Sequence, residues 1–140
     1  ARVRANAIEA LARLARRDEV AGDRLAAMTL ELKGDEHHRV RSSAVWSMLT
    51  GAGSTRARVA ATELVSMLAD DREMHRVAGL WLAERTVCGR GALVSHAGEV
   101  RRVVEDRLSG DASAWVRRRA SALAERLGAE AVEDHAMEAA

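Results

Sequence analysis

Proline, tyrosine and phenylalanine are absent from this chain of 140 residues, and three tryptophans supply its only aromatic rings. No proline can therefore interrupt a helix. The residues that favour strands are also scarce, because the β-branched residues are mostly isolated valines. Alanine, leucine, arginine and glutamate dominate the composition, and all four favour helices. The composition predicts an all-α fold.

A single cysteine, Cys88, excludes an internal disulfide and is typical of a reducing compartment, so we expect a cytoplasmic location. No uncharged apolar run approaches the roughly 18–20 residues that a membrane helix needs. The segment 1–15 lacks signal-peptide order, because its first arginines are followed by an amphipathic pattern that carries Glu9 and Arg13. The chain lacks an initiating methionine, and we expect it to be a fragment of a longer protein.

An excess of charge of either sign is also missing, since 22 basic and 21 acidic residues leave a net charge of +1. This balance gives no strong attraction to nucleic acid or to an anionic membrane. Lys33 is the only lysine, so arginine carries nearly all the positive charge. A chain of this length is expected to form one domain that needs neither a disulfide nor a metal to fold.

Amphipathic segments alternate with short breaks that contain glycine or aspartate. Glycine after a helix end suits a left-handed stop, and aspartate or serine at the next start can bond free backbone amides. Gly34-Asp35 and Gly110-Asp111 each place a glycine that ends one helix next to an aspartate that begins the following helix. Gly128 marks a further break. The predicted helices cover roughly 2–16, 20–33, 36–50, 55–69, 71–87, 93–109, 111–127 and 129–138.

One pattern, Val-Arg-x-x-Ala, occurs at 3–7, 40–44 and 116–120. In two copies an aspartate, Asp35 or Asp111, precedes the valine by five residues, and apolar residues follow at helical spacing. An amphipathic helix that recurs at this long period is the signature of a helical solenoid, in which stacked helix pairs cover each other's apolar faces. We expect one domain over 1–140, with units of about 1–18, 19–53, 54–91 and 92–128 and a trailing helix over 129–140.

The third unit lacks this pattern, and its helix can be aligned in two ways. Alignment on Val77 would place Glu84 and Arg85 on the apolar stripe, so alignment on Met74 is preferred. The first signature residues of the four units are then 3, 40, 74 and 116. The longest interval between them contains the loop 89–91, which we expect to be an insertion. The stripe that we expect inside the protein consists of Met74, Ala78, Trp81 and Leu82.

The pattern Asp-x-x-x-x-Val-Arg-x-x-Ala, followed by an apolar residue about four positions on, resembles the HEAT repeat, in particular the bacterial repeats related to phycobilisome lyases. The resemblance covers nearly the whole chain. It is good in the second and fourth units, truncated in the first and weak in the third. It implies an α-solenoid, an α-α superhelix of about four antiparallel helix pairs, with the signature helices on the inner, concave wall.

The resemblance also implies roles for the signature residues. Asp35 and Asp111 should cap helices in the turns within units, and Arg41 and Arg117 should reach toward neighbouring turns. Under the Met74 alignment His75 replaces that arginine in the third unit, which would interrupt the series of aspartates and arginines. Small residues should let neighbouring helices approach closely at Ala7, Ala44, Ala78 and Ala120.

Residue types that bind metals or perform catalysis occur without a supporting arrangement. His37, His38 and His75 begin signature helices, but neighbouring helical residues diverge by about 100°, and no His-Glu-x-x-His motif or cysteine pair accompanies them. We expect these histidines on the solvated surface. Cys88 lies near His96 in sequence, but no nucleophile elbow or phosphate-binding loop is present. We predict no metal, no cofactor and no enzyme activity, while bilin-lyase-like and DNA-glycosylase-like activities stay open.

The wall of signature helices offers a candidate contact surface. On a helical wheel, Trp46 points away from the apolar stripe of its helix, and Leu80 takes the equivalent place in the third unit under the Met74 alignment. We predict these two residues as anchors for a partner helix or peptide. The alternative is that Trp46 packs between units. The predicted charged rim consists of Arg39, Arg41, Arg76 and Arg118.

The sequence therefore predicts a non-catalytic protein-interaction or scaffold module that binds a protein or peptide on the concave face. The alternatives are a bilin-lyase-like subunit and a domain that binds the nucleic-acid phosphate backbone. Dense arginines at 101–102 and 117–119 favour the second alternative, but they alternate with acidic residues, as on salt-bridged helical faces. Self-association through exposed solenoid ends is a further expectation.

Overall fold

The computed structural model describes residues 1–15, 17–49, 54–88 and 92–138, and these ranges contain helices and no strand, which confirms the all-α prediction. The predicted bounds agree with the first five helices to within a few residues. The predicted breaks at 51–53 and 89–91 lie outside the described residues. The helices are α1 (Arg2–Leu14), α2 (Glu19–Leu32), α3 (His38–Met48), α4 (Ser54–Leu68), α5 (Glu73–Thr86), a 3₁₀ turn (Val94–His96), α6 (Ala97–Val103), a π turn (Val104–Leu108) and α7 (Ala114–Glu138).

The chain divides into two compact units, Ala1–Met67 and Leu68–Ala140. In the first unit α1, α2 and α3 pack on one another. The side chain of Glu63 ties α4 to this group, because it accepts from Lys33 at the end of α2 and from Arg41 on α3. The buried apolar cluster of the first unit consists of Ala5, Ile8, Ala12, Leu25, Val40 and Ala44.

Helix α1 buries a different face from the one that the Val-Arg-x-x-Ala pattern predicts. Val3 is 81% exposed and Leu14 is 58% exposed, whereas Ile8 is fully buried. Ala7, expected at a close helix contact, is also exposed. The corresponding face of α3 is covered because α1 and α2 pack against it, but no described element packs against this face of α1.

In the second unit α5, α6 and the π turn all pack on α7. The segment predicted as one helix over 93–109 is divided into the 3₁₀ turn, α6 and the π turn, yet it keeps the apolar residues Val100, Val104 and Leu108 inside. Helix α7 continues through Gly128, so the break predicted there is wrong. The guanidinium of Arg101 lies about 3.5 Å from the place where a Cβ of residue 128 would stand.

The turns before α3, α5 and α7 share one local structure. The carboxylates of Asp35, Asp70 and Asp111 each accept a hydrogen bond from the backbone N–H two residues on, at distances of 2.8, 3.0 and 2.8 Å. An aspartate that bonds the following backbone in this way fixes the start of the next helix. Five residues after each aspartate stands a buried side chain: Val40, His75 and Val116.

In the third repeat unit, over 54–91, His75 therefore takes the place of the signature valine, and the Met74 alignment is wrong by one residue. Met74 is 46% exposed and Trp81, which that alignment places in the core, is 39% exposed. His75 is 2% exposed, so it does not belong to the solvated surface. The signature arginine of this unit is Arg76, and Gly79 takes the place of the signature alanine.

This correction restores the series of aspartates and arginines. Arg76 Nε lies 2.6 Å from an Asp111 carboxylate oxygen, and its Nη1 donates to the backbone carbonyl of Asp70 at 2.8 Å. Likewise, Arg4 Nη2 lies 3.1 Å from the carboxylate of Asp35. In each of these two cases an arginine from one signature helix reaches the aspartate before the next signature helix along the chain. These contacts make the signature residues structural.

No helix within the described ranges combines the length and the apolar character that a membrane crossing requires.

Candidate partner-binding site

A groove lies between α5 and α7 in the second unit, with a volume of about 300 Å³. Its position follows from the packing of α5 on α7, and its floor includes Leu80 and Leu123, which are 2% and 5% exposed. The lining residues are Leu80 and Glu84 from α5, and Arg118, Arg119, Ala122, Leu123 and Arg126 from α7.

The small side chain of Ala122 keeps this groove open. In the register set by the aspartates, residue 122 stands six residues after the signature valine, and the same place holds Trp46 in α3 and Trp81 in α5. Helix α7 has alanine at a position where α3 and α5 carry tryptophan, the largest side chain, and where α1 carries Glu9. A tryptophan at this place would project into the space that the groove occupies.

The rim of the groove is basic. Three arginines and one glutamate give the lining a formal net charge of +2. Arg119 Nη2 lies 3.1 Å from one Glu84 oxygen and Arg126 Nη1 lies 3.9 Å from the other. These side chains are about one third to one half exposed, so their ion pairs are screened by water and contribute roughly 0–1 kcal/mol each. The site therefore combines an apolar floor with a basic rim in which Arg119 and Arg126 share the Glu84 carboxylate through solvent-screened pairs.

Two of the residues predicted as contacts, Leu80 and Arg118, meet in this groove. Leu80 lies there for a different reason from the one predicted, because Trp81 and not Leu80 is the counterpart of Trp46. Trp46 itself is half-buried on α3, and Arg39 is exposed near the start of that helix.

Two other predicted rim residues are engaged inside the protein. Arg41 is 7% exposed, and its Nη2 donates to Ser66 at 2.8 Å and lies 3.4 Å from Glu63. Arg76 is half-buried and paired with Asp111. Both guanidinium groups hold turns and helices together, so the geometry gives neither of them a place on an open rim.

Sequence reasoning missed the contribution of Glu84, Arg119, Ala122 and Arg126. The signal for Ala122 was available, because its place in the repeat becomes clear once the third unit is counted from Asp70. The pairing of Glu84 with Arg119 and Arg126 carried no such signal, since it depends on how closely α5 and α7 approach.

The exposed tryptophan of α5 is covered on one side by a cation. The guanidinium carbon of Arg85 lies 4.9 Å from the centroid of the Trp81 ring, within the range of a cation–π contact. Trp81 nevertheless keeps more than a third of its surface in water.

The histidines do not form a metal site in the described part of the chain, where no cluster of three potential ligands occurs. The rings of His37 and His38 stack with centroids 4.5 Å apart. His75 Nδ1 lies 3.7 Å from Asp70. The pKa of Asp70 is held below its usual range mainly by the Arg72 side chain, against an opposing effect of burial. Cys88 is buried.

Comparison of this chain with protein-family models, with curated proteins and with solved structures gives no match.

Proposed function

We propose that this chain is a non-catalytic interaction module of a larger cytoplasmic protein, a HEAT-like α-solenoid that binds a protein or peptide partner in the groove between α5 and α7. The observation that carries the proposal is the meeting of Leu80 and Arg118 with two further arginines around one open space. Arginine is one of the three residue types that are enriched among the side chains carrying most of the binding energy in protein interfaces.

The repeated turns support the HEAT-like part of the proposal. Each compact unit contains one contact in which a signature arginine reaches the aspartate before the next signature helix: Arg4 with Asp35, and Arg76 with Asp111. The resemblance places aspartates and arginines in these roles, and the offset of five residues from Asp70 to His75 extends the rule to the unit that matches worst in sequence.

The shape and chemistry of the groove favour a peptide ligand over a small-molecule substrate. Its volume lies at the lower end of the range for small-molecule sites, roughly 300–1,000 Å³, and its lining is shared between two exposed helix faces. At residue 122, alanine stands where α3 and α5 have tryptophan, and this smaller side chain leaves a notch of the size that one side chain of a partner fills.

Ala122→Trp is expected to weaken partner binding strongly because the indole fills the notch. Ala122 is exposed on α7, so the substitution should cost only about 0.5 kcal/mol of helix stability. The measurement is selection of a displayed random-peptide library on the natural chain, followed by titration of the enriched peptides. We expect affinities to fall by about tenfold or more, equivalent to roughly 1.4 kcal/mol, in the Ala122→Trp variant.

The matched control is Ser121→Trp, which adds the same side chain one residue earlier, at an exposed position outside the groove lining. It should leave peptide affinity within about twofold, which is roughly 0.4 kcal/mol. The proposal fails if no peptide is enriched, or if the two tryptophan variants lose binding equally while their helix content and melting temperature stay unchanged.

A further inference from the structure

We propose that the occupant of the α5–α7 groove is an acidic amphipathic helix, which places carboxylates against Arg118, Arg119 and Arg126 and one apolar side chain in the notch at Ala122. This inference rests on the proposed function and names the chemistry of its partner. The first argument is charge complementarity, since the lining carries a formal net charge of +2 although the whole chain carries only +1.

The spacing of the arginines suits a helix as the ligand. Arg119 and Arg126 are seven residues apart on α7, about two helical turns, and both guanidinium groups reach the carboxylate of Glu84. A partner helix that lies along α7 can therefore present one carboxylate to both groups. An apolar residue three or four positions away on the same face of the partner can then face Leu80 and Leu123 on the groove floor.

Glu84 already shows how this site receives a carboxylate. Its two oxygens face Arg119 at 3.1 Å and Arg126 at 3.9 Å, so a carboxylate reaches both guanidinium groups from one point. About half of the Glu84 side chain remains in water, and exposed pairs of this kind contribute little net free energy. An incoming carboxylate can therefore take over these arginines at small cost, and Glu84 acts as its internal competitor.

The charge of the lining argues against a basic peptide, because a lysine-rich segment would meet three arginines. The charge of the whole chain argues against a nucleic acid. Binding to a phosphate backbone relies on neutralising many charges along a track, and a chain with a net charge of +1 lacks the surplus that such binders show.

The competitor role gives a prediction with an unusual sign: Glu84→Gln should strengthen binding. The amide keeps the shape of the side chain but removes the charge that competes for Arg119 and Arg126. The probe is a fluorescein-labelled acidic peptide of about eleven residues, three helical turns, with leucines on one face and glutamates on the others. We expect fluorescence anisotropy to show affinity for the natural chain and a gain of about three- to tenfold for Glu84→Gln, at equal ionic strength.

Two variants on α6 provide matched charge controls. Glu99→Gln makes the same change in net charge as Glu84→Gln at an exposed position outside the groove, and it should leave the affinity within about twofold. Arg126→Glu should weaken binding by about tenfold or more, whereas Arg102→Glu, which is also exposed and outside the groove, should have a much smaller effect.

The outcomes separate this inference from the proposed function. The inference is overturned if Glu84→Gln binds the acidic probe no better than the Glu99→Gln control does. It is also overturned if a probe with lysine in place of every glutamate, or a single-stranded oligonucleotide, binds more tightly than the acidic probe. Should the acidic probe fail while library peptides still bind in an Ala122-dependent manner, the groove remains a partner site and only the acidic identity of the partner is wrong.

Discussion

Asp111→Ala is expected to lower the free energy of unfolding by about 3 kcal/mol, because it removes one partner of a buried ion pair and a helix-start contact together. The Asp111 side chain is 6% exposed and that of Arg76 is 14% exposed. Without the carboxylate, the guanidinium of Arg76 keeps its backbone acceptors but loses its counter-charge, and the N–H of Ser113 loses its acceptor. Urea denaturation followed by circular dichroism measures the loss.

The control is Asp106→Ala, which removes an exposed carboxylate from the π turn and should change stability by less than about 0.5 kcal/mol. An equal loss in both variants would contradict the structural role of Asp111.

The difference in the free energy of unfolding between the natural chain and Asp111→Ala depends on pH with a defined sign. Burial alone would raise the pKa of Asp111, but the hydrogen bonds from Arg76 and from the Ser113 amide outweigh it and hold the pKa below its usual value. A group whose pKa is lowered in the folded state contributes stability that is fully present above its unfolded pKa, about 3.9, and is lost as the pH falls through its folded pKa. The natural chain and Asp111→Ala should therefore differ most near neutral pH and converge in acid.

Ile8→Ala is expected to destabilise the first unit by about 3 kcal/mol, since truncation of a fully buried aliphatic side chain leaves a cavity. Ile8 is 0% exposed and lies in the cluster that joins α1 and α2 to Val40 and Ala44 of α3. Thermal and urea unfolding should both show the effect.

The comparison that gives this result its meaning is Val3→Ala, on the face of α1 that the repeat pattern predicts to be inside. Because Val3 is 81% exposed, its truncation should cost less than about 0.5 kcal/mol. If Val3→Ala destabilises the protein as much as Ile8→Ala does, the packing of α1 described above is wrong.

The sequence predicted the helices well because their apolar spacing and their glycine and aspartate boundaries are local signals. The continuity of α7 was missed because glycine costs a helix interior only about 1 kcal/mol, which packing can outweigh. The exposed stripe of α1 was missed for another reason: burial of a face depends on whether another element covers it, which a helical period does not reveal.

The misalignment of the third unit shows where physical reasoning from the turn would have been the better guide. The alignment on Met74 keeps Glu84 and Arg85 off the apolar stripe, but it ignores the turn that precedes the helix. The offset of five residues from Asp70, identical to those from Asp35 and Asp111, indicates His75 instead. The Nδ1 of the buried histidine lies 3.7 Å from the Asp70 carboxylate and 3.5 Å from Arg72 Nη2.

The candidate site was predictable only in part. Leu80 and Arg118 were identified as contact residues, but the reason that joins them, a notch left by Ala122, requires the corrected register. The pairing of Glu84 with Arg119 and Arg126 depends on the distance between two helices, which no spacing in the sequence encodes.

The central claim, that a partner peptide occupies the α5–α7 groove, is tested most directly by mapping amide chemical shifts in the ¹⁵N-labelled chain during titration with a library-selected peptide. The account predicts shift changes concentrated at Leu80, Glu84, Ala122 and Leu123, with saturation at the affinity measured for that peptide. In the Ala122→Trp variant, the changes should require about tenfold or more peptide to saturate. Saturable changes confined to α1 and α2, with the groove amides unmoved, would contradict it.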